Sequence, residues 1–225
     1  MLTAKLILER FDKDHRLLER REQPSRSFVK NFISLLYCAH AQILSAAPFA
    51  MTDITGGART VDSEVFATIT GRSSKSNLMI GSAPGLSGVY CFHGSPNNFY
   101  RHQATIEGSK IGIQVGIGNA AVTPTDNFLQ TRILHGSAAG LLEYGGCELL
   151  SIAFANPNGQ FTIRRYFTNN SGGLITVQEV GIHSVGTNLN AYSAWAFLVA
   201  RDLTGAVAVA NTELLRVSYV VQITV

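Results

Sequence analysis

Apolar and polar residues alternate along most of this chain with the two-residue period of a strand, and in one place the period lengthens to that of a helix. Residues 3–10 (TAKLILER) alternate, Asp12-Lys13-Asp14-His15 supplies turn chemistry, and 16–23 (RLLERREQ) return as a partner strand. In the next segment Phe28, Phe32, Leu35, Leu36, Ala39 and Ile43 fall at a spacing of three to four. That predicts an amphipathic helix, with Ser27 as its N-cap and Pro48 as its stop. Residues 28–50 also mimic a secretory signal, because they follow basic residues and end in small ones. Twenty-seven charge-rich residues precede the segment, however, and Lys30, Asn31, His40 and Gln42 interrupt it. It also falls short of the roughly 20 clean apolar residues of a membrane span. The helix is the better reading.

Residues 51–77 are rich in Thr, Ser and Gly, with one short strand expected at Val65–Thr70, and 78–110 read as loops with short strands. From Ile111 the pattern sharpens. IGIQVGIG (111–118) is a buried strand, TPTDNFLQTRI (123–133) opens as a helical turn does, and LLEYGGCELLSIAFA (141–155) is a strand bent at its Gly-Gly pair. Asn156-Pro157-Asn158-Gly159 turns the chain into QFTIRRYFT (160–168), and 169–173 turn it again. Strands at 174–185, 193–201 and 214–225 complete the run. Strands without intervening helices pair antiparallel. The expected fold is mainly β: an N-terminal arm of hairpin plus one helix (1–50) and an antiparallel, sandwich-like body (51–225).

Composition narrows the function. Apolar residues make up 46% of the 225, which excludes a disordered chain, and the 21 glycines have no three-residue period, which excludes collagen. Charged residues are only 15%, against roughly 25% in an ordinary soluble domain. Eight of the eighteen Lys and Arg and five of the fifteen acids lie in residues 1–30, so the remaining chain carries ten of each. Two readings fit a body this poor in charge. Its polarity comes from Ser, Thr and Asn, or much of its surface is buried against copies of itself. The net charge of +3 names no partner. Cys38, Cys91 and Cys147 are odd in number and lack CxxC spacing, which argues against a disulfide framework and a structural zinc site.

Candidate chemistry is thin. Gly116-Ile-Gly118-Asn-Ala-Ala121 resembles a dinucleotide loop, yet Pro124 follows where a long helix is needed. Cys91, His93 and His102 could offer three metal ligands, with no acid or HxH pair to close the set. His135-Gly-Ser137 lacks the GxSxG context of a hydrolase. Arg164 and Arg165 face opposite sides of a strand, so one reaches solvent and the other needs a buried partner. No basic stripe with interleaved aromatics marks a nucleic-acid surface. Asn169-Asn170-Ser171 fits the glycosylation sequon. These features predict no enzyme, no cofactor, no metal, no nucleic acid and no membrane.

VGIG (115–118), TPTDNFL (123–129), ITVQEVGIHS (175–184) and the closing VSYVVQITV (217–225) together resemble small structural proteins of tailed bacteriophages, over about half the chain. Ile182-His183 departs from the pattern, which usually has an apolar residue followed by an aromatic. The resemblance implies a non-enzymatic virion component: a tail, neck or fibre protein or a capsid decoration protein, assembled in the host cytoplasm. Its partners would be copies of itself and other virion proteins (capsid, portal or tail). The expected assembly surface is the arm (Leu6, Leu8, Arg20, Arg21) and the helix face (Phe28, Phe32, Leu35, Leu36), unless that helix packs on its own body. If the arm crosses to a neighbour, removing residues 1–26 leaves a folded body that does not assemble. The competing reading is a secreted or surface β-sandwich that binds carbohydrate or cell surface, with Tyr90, Phe92, Tyr100 and Trp195 as stacking platforms.

Overall fold

The computed structural model describes residues 2–25, 27–41, 49–61, 110–188 and 193–224. The strand expected at Val65–Thr70, the loops of 78–109, Cys91, His93, His102 and the aromatics Tyr90, Phe92 and Tyr100 lie outside them.

The fold is mainly β, with antiparallel sheets and one helix, as the alternation predicts. The N-terminal hairpin consists of β1 (Leu2–Phe11) and β2 (Leu17–Ser25). Asp12 closes its turn, with Oδ1 accepting the backbone N–H groups of Asp14 and Arg16. Helix α1 spans Lys30–Ala41. It starts later than expected, and Ser27 is not its cap: the Ser27 hydroxyl donates to Asp202 Oδ1 at 2.8 Å. Next come two short strands, β3 (Phe49–Thr52) and β4 (Ala58–Val61), in a stretch read only as Thr- and Gly-rich. Asp53 organises their turn, accepting from the Thr55 N–H and hydroxyl and the Gly57 N–H, while Arg59 Nε reaches its other oxygen at 2.5 Å.

Then follow β5 (Gly112–Gly116), β6 (Glu143–Leu149), β7 (Ala153–Ala155), β8 (Asn158–Thr168), β9 (Ile175–Asn188), β10 (Ser193–Val209) and β11 (Leu214–Thr224). The expected single strand over 141–155 is thus two, and the register of β6 on β8 shifts between Tyr144 and Cys147, at the Gly-Gly pair. Residues 123–133 do not form a helical turn beyond the bend at Pro124–Thr125. They run back beside β5, where Arg132 bridges Gly116 and the Ile133 N–H meets the Val115 carbonyl.

The larger sheet has the order β2-β1-β11-β8-β6, with β7 also on β8, and the smaller one has the order β10-β9-β5. β1 is therefore not a free arm. It pairs with β11 from Leu2↔Ile223 to Phe11↔Leu214, and its inward residues Leu6 and Leu8 are 0% and 2% exposed. They share one core with Leu35 of the helix, Ile163, Phe167, Leu215 and Val217 of the large sheet, and Ile113, Val180 and Phe197 of the small one. Burying a side chain of this size stabilises the fold by about 1.5–3 kcal/mol. On the outer face, Arg20, Glu9 and Arg216 form a row across β2, β1 and β11, at 3.8 and 2.7 Å, and two positions further along β8 Arg164 lies 2.7 Å from Glu148.

Candidate functional site

The VGIG, TPTDNFL and ITVQEVGIHS segments meet at one buried ion pair, Glu179 with Arg201. Arg201 of β10 is buried, and its Nε lies 2.8 Å from Glu179 Oε2 on the paired strand β9. Its Nη1 lies 2.8 Å from Asp126 Oδ2, in the TPTDNFL stretch, and its Nη2 donates to the Ala120 carbonyl. Glu179 Oε1 accepts the N–H groups of Gly118 and Thr131, and Oε2 that of Gln130. A buried charge is tolerated only when it is paired and its remaining lone pairs are filled. Both conditions hold here. Burial by itself would raise the Asp126 carboxyl, but hydrogen bonds from Thr123 and Arg201 hold it below its ordinary range.

The glycines of VGIG exist for this cluster. A Cβ on Gly116 would sit 2.5 Å from Glu179 Oε1, and one on Gly118 would meet the same oxygen at 2.5 Å. Gly181 is likewise pressed by Leu129 and Leu198, each 2.8 Å from where its Cβ would be. VGIG, TPTDNFL and QEVG thus form one interlock, in which a carboxylate ties two loops to a sheet.

Arg165 does the corresponding work between the sheets. Its side chain, 3% exposed, reaches from β8 to the Ile111 carbonyl just before β5 at 2.7 Å, the Ile113 carbonyl of β5 at 3.0 Å and the Gly145 carbonyl at 2.9 Å. The Tyr144 ring lies 4.8 Å from its guanidinium carbon. Arg164 faces outward to Glu148.

A cavity of about 560 Å³ opens where the β3–β4 turn meets β9 and β10. Asp53, Arg59, Phe128, Arg132, His183 and Trp195 are among its lining residues. Trp195 presents an aromatic wall with the Arg59 guanidinium 5.4 Å from its centroid. His183 is buried, and its Nδ1 lies 2.9 Å from the Lys110 carbonyl, so Nδ1 carries the proton, while Nε2 has no partner. Burial, joined by the nearby charges of Arg132 and Arg165, pushes its pKa down to about 3 and keeps the ring neutral.

The other sequence candidates have different roles. His135 Nδ1 accepts the Tyr144 N–H, which occupies the lone pair that a base would need. Asn169 of the sequon is fully buried and donates to the Gly173 and Val209 carbonyls, out of reach of a glycan. No helix follows Gly116–Ala121. Among the described residues no three His, Cys, Asp or Glu side chains stand where they could hold a metal ion, and no helix is long and apolar enough to cross a membrane. Cys147 is buried, and burial raises its thiol pKa.

Of the expected assembly residues, Leu6, Leu8 and Leu35 lie in the core, and Phe28 and Phe32 stack on each other at 4.3 Å and pack against it. Arg20 pairs with Glu22 and Arg21 with Glu19. Leu36 lies on the outward side of the helix with Ile33 and Tyr37. A second apolar surface had no clear signal in the alternation. The core-facing side of the large sheet continues beyond the small one, where the Phe154 ring lies over Gly159 beside Ile223. Phe154 is 81% exposed, and Leu149, Ile152 and Ile223 are exposed as well.

No protein-family model, no curated protein and no solved structure matches the chain.

Proposed function

We propose that this chain is a non-enzymatic structural subunit of a tailed-phage virion, one that assembles with copies of itself and docks on neighbouring capsid, portal or tail proteins. The observation that carries the self-assembly is the group of exposed apolar side chains Leu149, Ile152, Phe154 and Ile223 on and beside the strands of the large sheet. Contiguous exposed apolar surface marks an interaction site, and the scarcity of charge in residues 31–225 leaves little to hold copies apart. The built devices described above, the Glu179–Arg201 interlock and the Arg165 bridge, serve rigidity rather than turnover, in keeping with a structural role. The virion itself is inferred from the resemblance of VGIG, TPTDNFL and ITVQEVGIHS to phage structural proteins.

Mass photometry of the purified chain tests the first part. A discrete oligomer that dissociates on Phe154→Ser with Ile223→Ser supports assembly through this group, and a monomer at micromolar concentration overturns it. Peptide mass spectrometry on virions that carry this coding sequence tests the second part: the chain is present at a fixed copy number, or the reading fails.

A further inference from the structure

The cavity beside β9 is equipped for a ligand that self-assembly does not require. Among its lining residues, His183 carries a buried Nε2 acceptor without a partner, in a ring fixed by the bond from Nδ1 to the Lys110 carbonyl. An unsatisfied buried acceptor carries a desolvation cost that a matching donor would remove. At the rim, the half-buried Arg132 guanidinium has no ion-pair partner among the described residues, and it lines a second hollow of about 350 Å³ as well. Arg165 lies close enough for its charge to act on the same histidine, so the local field is positive. The opposing acid, Asp53, is already engaged by Arg59. Trp195, Phe128 and Leu129 supply the apolar walls.

We propose that this cavity binds a small hydroxylated organic anion of monosaccharide size. Its carboxylate would meet Arg132, one of its hydroxyls would donate to His183 Nε2, and its apolar face would lie against Trp195. A volume of about 560 Å³ is within the usual range of small-molecule sites and admits such a molecule with its waters. A guanidinium without a carboxylate selects the acid, since charge-assisted hydrogen bonds are the strong ones. The neutral histidine selects the hydroxyl, because Nε2 can only accept. The site stands whether or not the chain assembles through its exposed apolar group.

Isothermal titration of the full-length chain with D-glucuronate is the experiment, with D-glucose and cyclohexanecarboxylate as partial ligands that lack the acid and the hydroxyls respectively. The expected result is saturable binding of glucuronate, with each partial ligand weaker by about tenfold or more. Arg132→Met should weaken glucuronate by a similar factor. Absence of saturation at millimolar glucuronate, or equal binding of either partial ligand, overturns the proposal. So does a folded Arg132→Met chain that binds glucuronate as well as the original. The comparison of ligands on the unaltered chain decides the matter even if that variant fails to fold.

Discussion

Glu179 and Arg201 face each other on paired strands with 2.8 Å between carboxylate and guanidinium, and neither side chain reaches solvent. Removing one partner of such a pair strands the other charge, at a cost of about 3–5 kcal/mol. Glu179→Ala should therefore lower the unfolding free energy read from urea titration by that amount. Glu179→Gln should also destabilise, because its amide N–H would face the N–H groups of Gly118, Gln130 and Thr131. A loss under about 1 kcal/mol for Glu179→Ala would mean that Asp126 alone satisfies Arg201.

Space is as strict as charge around this pair. Gly181→Ala places a methyl 2.8 Å from Leu129 and Leu198 and 3.0 Å from the Ala200 carbonyl. Overpacking of this kind costs about 1–3 kcal/mol. Gly173→Ala, with open space around its Cβ, should stay near neutral and is the internal control. Thermal unfolding of the two variants side by side checks the contrast.

His183 makes stability depend on pH in a defined window. Its ordinary pKa is 6.5, and burial brings the folded value to about 3, so the unfolded chain binds more protons between those limits. Stability from this group is complete above pH 6.5 and falls as the pH drops toward 3, by up to about 1.4 kcal/mol per unit. The depressed carboxylates Asp53 and Asp126, with an ordinary value of 3.8, add their own loss only at the acid end of this range. Between pH 6.5 and 5 the slope therefore reports on His183, and His183→Gln should flatten it in urea titrations.

The N-terminal hairpin should prove indispensable to the fold. Asp202 of β10 accepts hydroxyl hydrogen bonds from Ser25, Ser27 and Tyr219 at 2.7, 2.8 and 2.9 Å, and β1 fills the sheet beside β11. That carboxylate also raises the Tyr219 phenol well above its ordinary value, after burial itself. Deleting residues 1–26 would uncover β11 and empty the sites of Leu6 and Leu8. Instead of the folded body expected for a crossing arm, circular dichroism should find loss of the cooperative transition. Tyr219→Phe is the milder variant, at about 1–3 kcal/mol.

Most strands from Ile111 onward are legible in the sequence because one face is buried and the alternation is clean. The misses have a common physical source. The alternation carries β10 only to Arg201, since Arg201, Asp202, Thr204 and Gly205 look like a surface turn, although the first three are buried and Gly205 takes a φ of +64° as the register shifts. Gln114, Glu179 and His183 are polar residues inside strands, and a pattern of polarity places them outside. The β3–β4 pair is four residues a side and held by Asp53 rather than by apolar alternation. The cavity has no signal in the alternation, since its lining comes from residues far apart in the chain. The inward residues of β1 are plainly apolar in the sequence, but nothing local tells whose core they enter.

The pairing of β1 with β11 joins segments separated by about 200 positions, with β2 on the other side of β1. At a synthesis rate of about 5–20 residues per second, β1 emerges some 10–40 seconds before the strand that receives it. Through that interval Leu6 and Leu8 have no sheet to enter, and a two-stranded hairpin alone is barely stable. β1 is thus made long before it can be placed, and its docking waits on the completion of β11. The row of Lys, Arg and Glu on the hairpin's other face then has a second use, keeping the waiting strands soluble and apart from those of other chains.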